Sequence, residues 1–557
     1  VDTGQEYRVR PDQVNHWINE IWNPTLLIGH DIQAFDIPVI SKFTGVTYNG
    51  PVFDTKIAAR LVFPDTKLDD WRSSISGKPW NMLPKALRGS HTLKAWGIRL
   101  GVFKGDRTKQ DFSQFSEEML EYCMQDCRVT LALYKKIMEM APTEASLKVE
   151  HEFSKVIDQQ KLNGFTLDLK TTQTFLERLQ KERLKSEDEL KSLFPSRLVE
   201  FTTPVKKFPR TKTIIFNPGS RDQIAWNLTA KYGWKPDKFT DTGKPQIDEE
   251  VLSGLDYPEA KRLVEYLLLQ KRIGQIAEGD NAWLKLVQDD EKIHGGVNTN
   301  GTVTGRCSFI APNMGQVPRV GNPYGKECRG CFTASPGGLL VGCDASSIQL
   351  RLLAHLLAKY DNGEYSKLVT TGDIHECNRQ AAGLESRNQA KTFIYALLFG
   401  AGSKKIAQIV GRSPGEGRQL LQTFFRAIPA FRRLNDDIRK VVEVRQNLQG
   451  LDGRRYPVRS AHLGLSVLLQ GYEAVIMKTA TINLHKELQK KGLVHGTDYK
   501  QVLHLYDENQ FDVPTQEIGK LVGTQQAEEI FKAGEFYKIR CPLAGEWKMG
   551  FSWADTH

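Results

Sequence analysis

The chain has 557 residues, 40% hydrophobic and 25% charged, which is core material for several ordinary domains and excludes a disordered or collagen-like polymer. Its 76 Lys and Arg against 66 Asp and Glu leave a formal charge of +10, a moderate excess that favours polyanionic partners and confines any basic surface to local patches. Eight irregularly spaced cysteines do not make a disulfide framework, Cys328 and Cys331 lack the second Cys/His pair of a zinc site, and no apolar run reaches the ~18 residues that cross a bilayer.

In chain order, residues 25–41 (TLLIGHDIQAFDIPVIS) predict a buried strand, a loop and an amphipathic segment, with Asp31 and Asp36 after the strand end, where α/β folds commonly hold functional groups. Residues 117–137 predict a helix that sets Tyr122 and Asp126 four apart, hence side by side. A carboxylate beside a phenol on a helix usually carries no function; joined to an acid beyond a buried strand, it is a candidate half of a metal site for phosphodiester cleavage. From Glu144 to Leu193 the chain is helical and charge-rich, broken near NGFTLD (163–168). A short loop over 194–215 carries Lys206, Lys207, Arg210 and Lys212, and helices follow from 217 and from 257.

Residues 294–320 are rich in Gly, Asn, Thr and Pro and predict irregular structure; Arg306 and Gln316 in it carry donors suited to base-edge acceptors. The segment 337–360 predicts a buried strand, LLVGC, ending at Asp344, then an apolar helix; an acid at that point is costly unless paired or metal-bound. In GDIHECNRQAAG (372–383), Asp373 is a helix cap and His375 lies in the first turn. The helix from Ser386 to Gly402 places Arg387, Lys391, Tyr395 and Phe399 every four residues, a stripe of two cations and two rings apart from the apolar surface of Phe393, Ile394, Leu397 and Leu398. That stripe suits a nucleoside triphosphate. A turn at 451–460 leads to a long helix bearing Gln470, and residues 501–514 predict a β-hairpin with Asp507 and Glu508 at its tip. Asp344 and Asp507 are thus a candidate acid pair for two-metal phosphoryl transfer, with cations available to the outer phosphates.

These segments resemble family A (DNA polymerase I type) DNA polymerases, and within them the replicative polymerases of short-tailed phages of the T-seven type. CDASSIQLR, RNQAKTFIYALLFGAG and LYDEN match the first palm, fingers and second palm motifs, and GTVTGR, PNMGQVP, GDIH, LDGRRYPVRS, LLQ and EWKMGFSW match further ones. The resemblance implies an α/β multidomain fold, a right hand of palm, fingers and thumb behind an RNase H-like 3′–5′ exonuclease domain. The expected boundaries are 1–143 for the exonuclease-like part, 144–290 for the thumb, 291–353 and 464–557 for the palm, and 354–463 for the fingers. It further implies template-directed DNA synthesis for phage replication in the cytoplasm of an infected bacterium, by a monomer away from membranes. The substrates are primer–template DNA and dNTPs; a helicase–primase is a candidate partner.

The residue roles the resemblance implies are these. Asp344 and Asp507 hold two Mg²⁺ ions with Glu508 beside them. Lys391, Arg387, His375, Tyr395, Phe399 and Gln349 face the nucleotide. Arg306, Gln316, Gln470 and Tyr506 face the DNA. Asp36, Tyr122 and Asp126 belong to the exonuclease site, Asp36 and Asp126 as metal ligands. Tyr395, as in the phage type, implies ready acceptance of dideoxynucleotides.

Four departures qualify this. The Asp-x-Glu of the first exonuclease motif is absent, so proofreading by this chain is expected to be weak or lost. Gln349 stands where the family has a Glu that blocks a ribose 2′-OH, so ribonucleotides are expected to be rejected less well. Tyr506 replaces a His and Phe399 a Tyr, which predicts altered fidelity or rate. The stretch 194–215 is short where the phage polymerases carry a long thioredoxin-binding insertion, so thioredoxin is not an expected partner. The competing readings are a single-subunit RNA polymerase, disfavoured by Asp36, Asp126 and the TGR and GDIH motifs, and a catalytically dead DNA-binding scaffold, disfavoured by the intact Asp344, Asp507, Lys391 and Arg387.

Overall fold

The computed structural model describes residues 4–21, 24–76, 83–104, 114–194, 196–203 and 206–557. It separates into two compact units, one of residues 1–164, 296–309 and 334–557, the other of residues 165–295 and 310–333. The division falls at Gly164, so the helices on either side of the NGFTLD break, Glu144–Asn163 and Leu169–Leu193, belong to different units.

In the second unit the helix Leu169–Leu193, capped by Asp168, packs along Pro258–Ile273 over a core that includes Leu190, Phe194, Phe216, Ile224 and Leu263. A small sheet pairs Phe165–Leu167 antiparallel with Lys292–Ile293 and Phe332–Thr333. The stretch expected as a short loop is instead an antiparallel ribbon of Arg197–Thr203 and Lys206–Ile214. Its β-branched and aromatic residues (Val199, Phe201, Thr211, Thr213, Ile214) favour extended pairing, and the interspersed charges hide their alternation. The side chains of Lys206, Lys207 and Arg210 lie outside those described; Lys212 is exposed.

In the first unit a parallel pair, Leu27–Gly29 and Val52–Asp54, is covered by Thr55–Val62, Leu93–Leu100 and Glu117–Glu139 around Phe53, Ala58, Trp96, Leu133 and Ile137. Farther along stands a four-stranded antiparallel sheet in the order Lys500–Leu505, Glu508–Val513, Leu339–Ala345, Gly545–Gly550. Alternation sorts its faces. Val341, Phe511, Val513, Trp547 and Met549 turn toward the helix Gln516–Phe536 and its core, so their alternates, Asp344, Glu508 and Glu546, share the opposite face. Close packing needs Gly523 on that helix, where a Cβ would lie 2.5 Å from the Trp547 ring.

The long helix Gly464–Lys490 is buried on nearly all sides. Its Lys478 donates to both carboxylate oxygens of Glu150 at 2.7 and 2.8 Å, and Arg454 Nη1 lies 2.7 Å from the same carboxylate. Arg454 also pairs with Asp452 at 2.6 Å, and all four side chains are at most 2% exposed. Buried charges of this kind persist only when paired.

Burial holds the imidazoles of His485 and His504 down to a pKa of about 4, where they hydrogen-bond Gln501 and Asn509. The unfolded chain takes up these protons near pH 6.5 and the folded chain does not, so this contribution to stability is complete above that pH and is lost as pH falls toward 4. Each histidine is worth on the order of 3 kcal/mol across the window. A melting series over pH 4–8 should show the decline, and His504→Asn should lessen it by one histidine's share, since burial holds His30 and His355 down as well.

Candidate active site

Asp344 ends the buried strand Leu339–Ala345 and is register-paired with Glu508 on one side and Glu546 on the other. Directly opposed residues in antiparallel strands share a face, which brings the three acids together there. The hairpin linking Leu505 to Glu508 turns over Tyr506 and Asp507, and the amide of Ala345 donates to the carbonyl of Asp507 at 3.0 Å, fastening the turn to the end of the Asp344 strand. Tyr506 has φ +62°, a left-handed conformation unusual for an aromatic residue. It is held by an edge contact with Phe309 and by the Arg306 guanidinium 5.1 Å from its ring centroid.

The strand end is closed by a segment that the sequence motifs did not assign a role. His557 Nε2 lies 2.9 Å from Glu508 Oε1 and its Nδ1 3.7 Å from Asp344 Oδ2, while the Trp553 indole donates to Glu508. One ligand atom each from Asp344, Glu508 and His557 lies within 4.8 Å of the others, the one such group among the described residues. Carboxylate oxygens predominate in this donor set, together with Asp507 in the adjoining turn, which fits a hard divalent cation. Gly342 makes room for the closure, since a Cβ there would fall 2.5 Å from Gln510 Nε2 and 2.6 Å from Thr556.

A second cluster lies on the helix Arg387–Leu398, which Ser386 and Gln389 cap. Ala390, Phe393, Ile394 and Leu398 are buried, whereas Arg387, Lys391 and Phe399, the residue capping the C-terminus, are exposed. The two cations and Phe399 face solvent, while Tyr395 is half-buried and packs against the core. Arg387 Nε donates to Asp373 Oδ2 at 2.8 Å, and Asp373 also caps the helix Ile374–Ala382. His375, buried in that first turn, has its ring 6.3 Å from the ring of Tyr395 and an Nδ1 without a hydrogen-bond partner. Burial, and then Arg387 and Lys391, hold its pKa below the usual value and keep it neutral.

A third cluster joins Arg306, Gln349 and Gln470. Thr304 Oγ1 reaches Gln470 Oε1 at 3.5 Å, and Gln470 donates to Ser466 at 3.0 Å. Between them stands Glu473, 1% exposed, which the sequence reading passed over. Its carboxylate lies 2.6 Å from Arg306 Nη2 and accepts a hydrogen bond from Gln349 Nε2. Burial pushes its pKa up to about 7, with Asp507 adding to the rise and Arg306 opposing it. The sequence surroundings of Glu473 carry little signal, since the same helix also bears Gln470, Lys478 and Glu487. Gln316 belongs to the second unit, where its carbonyl accepts from Gln275 at 3.1 Å.

In the N-terminal region, Asp36 opens the helix Asp36–Thr44, and Tyr122 and Asp126 lie on Glu117–Glu139. The Asp36 carboxyl is raised, first by burial and then by Asp31, Asp54 and Asp126, so these acids lie within electrostatic reach of one another. Two of them are ion-paired: Asp126 lies 2.7 Å from Lys104 Nζ, and Asp31 lies 2.5 Å from Lys56 Nζ. Asp54 is taken up capping the helix Thr55–Val62.

The sequence model of DNA polymerase family A matches residues 185–555. The chain is similar to the DNA-directed DNA polymerases of Enterobacteria phage T3 and Escherichia phage T7, each 34% identical over 100% of this chain and 96% of the relative. Those alignments run over 683 and 684 positions against 557 residues here, so the phage relatives carry segments this chain does not. Among solved structures it is similar to the POL domain of Pol1 from M. smegmatis in complex with DNA primer-template and dNTP, at TM-score 0.74 and 20% identity, covering 98% of this chain and 90% of that one. No helix among the described residues is long and apolar enough to cross a membrane.

Proposed function

Because the chain belongs to DNA polymerase family A and is a template-directed DNA polymerase, we propose that it adds dNTPs to a primer 3′-OH at the strand end carrying Asp344, Asp507 and Glu508. The observation that carries this placement is the pairing of Asp344 with Glu508 beneath the Asp507 turn. Polymerases of this family use divalent ions; two Mg²⁺ held by Asp344 and Asp507 would acidify the primer hydroxyl and neutralise the departing pyrophosphate.

The chain's own groups do the rest. Lys391 and Arg387 bind the triphosphate as cations, neutral His375 donates a hydrogen bond to it, and Tyr395 and Phe399 offer flat surfaces to the base and sugar. Gln349 borders the sugar. Arg306 and Gln470 donate to minor-groove acceptors at the primer end, with Tyr506 and Gln316 as further DNA contacts. We assign residues 1–143 to an exonuclease-like domain, 144–290 to the thumb, 291–353 and 464–557 to the palm and 354–463 to the fingers. The 3′–5′ exonuclease is weak in this reading, because Lys104 and Lys56 compensate Asp126 and Asp31. Replication of phage DNA in an infected host is the biological setting that the phage relatives support.

A labelled primer–template incubated with Mg²⁺ and dNTPs should be extended, with chelation stopping it. Without dNTPs, shortening should run at least about a hundredfold slower than extension. No extension despite retained primer binding would favour the dead scaffold, and rapid shortening would overturn the reading of the N-terminal acids.

A further inference from the structure

Glu473 is a fully buried acid on the helix Gly464–Lys490, and both of its polar neighbours are residues placed above against the DNA and the nucleotide. Gln349 donates its Nε2 amide to Glu473, which turns its Oε1 away from that carboxyl. That Oε1 is buried and has no hydrogen-bond partner, and the same holds for Arg306 Nε. Glu473 therefore occupies one end of each side chain and leaves, on the other, an unpaired acceptor at Gln349 and an unpaired donor at Arg306. Arg306 is confined further by the Tyr506 ring, next in sequence to Asp507. The arrangement also accounts for the glutamine at 349: a glutamate there would set two buried carboxylates against each other, which is strongly unfavourable.

We propose that Glu473 is a positioning residue of the polymerase site, which sets the direction in which Arg306 meets the primer terminus and Gln349 meets the incoming sugar, and so governs discrimination between correct and incorrect ends. The proposal rests on the assignment of Arg306 and Gln349 made under Proposed function.

The experiment is single-nucleotide addition to matched and mispaired primer ends, with dNTP and with rNTP, by the full chain and by Glu473→Gln, Arg306→Ala, Gln349→Glu and the exchange Gln349→Glu/Glu473→Gln. The matched-to-mispaired ratio is read per active molecule, so loss of folded protein alone does not move it. Glu473→Gln should lower that ratio about tenfold and change the dNTP-to-rNTP ratio. Gln349→Glu alone should be the more damaged, and the exchange, which restores one acid and one amide, should recover most of the loss.

If Glu473→Gln is insoluble, the ratios are read on Glu473→Asp, which keeps the charge but shortens its reach and should also lower them. Ratios unmoved in the soluble Glu473 variant while Arg306→Ala lowers them overturn the proposal and leave the Arg306 assignment standing. Ratios unmoved in both overturn the assignment and the proposal with it.

Discussion

Asp507→Ala is expected to lower templated nucleotide addition by about 10³-fold or more, while primer–template affinity without dNTP stays within about threefold. The turn should survive the change, because it is fastened through the carbonyl of residue 507 to the amide of Ala345, and alanine keeps that carbonyl. In the proposed site the change removes one of the carboxylates that would hold the divalent ions, leaving Asp344 and Glu508 as the acids of the paired strands. Single-turnover incorporation is the measurement. A variant that retained activity within tenfold of the parent would move the metal site away from this hairpin.

The second large effect is expected at Lys391. Arg387 is held by Asp373 at 2.8 Å, but among the described residues no carboxylate is ion-paired with Lys391, which lies exposed on the same stripe. A cation so placed is ready for an anionic ligand and pays little in side-chain rearrangement on meeting one. Lys391→Ala should lower kcat/KM for dNTP by about 10²–10³-fold and leave the melting temperature nearly unchanged. Arg387→Ala should cost less, since its guanidinium must first leave Asp373. Steady-state kinetics on one primer–template compares the two directly, and equal losses would argue against the distinction.

Much of this arrangement was legible in the residue order because the informative signals are local. The strand LLVGC stopping at an acid, the four-residue spacing of Arg387, Lys391, Tyr395 and Phe399, and the alternation about Asp507 each describe one element; the strand and hairpin formed as read, whereas the helix read to Gly402 ends at Leu398 and leaves Phe399 as its C-terminal cap. The family resemblance is independently supported by the match over residues 185–555. The ribbon Arg197–Thr203 with Lys206–Ile214 was read as a loop because charges and prolines interrupt its alternation; its pairing depends on a partner strand that a single-strand pattern does not report. Glu473 was hidden for another reason. A helix buried on all sides has no polar face against which one acid stands out, and its partners Arg306 and Gln349 come from distant segments. His557 likewise meets Glu508 across 49 positions, with no local motif to announce it.

The carboxylate of Glu150 bears on where this polypeptide can be cut. It lies on the helix Glu144–Asn163 and compensates Lys478 on the long helix and Arg454 beside it. A fragment beginning near residue 144 keeps that anion; one beginning at Phe165 loses it and leaves Lys478 and Arg454 enclosed with Asp452 alone to answer two positive charges. Breaking a buried pair by removing one member costs about 3–5 kcal/mol, a large share of the stability of an ordinary domain. The natural seam for separating the N-terminal region from the polymerase therefore lies before this helix, and the helix travels with the catalytic part.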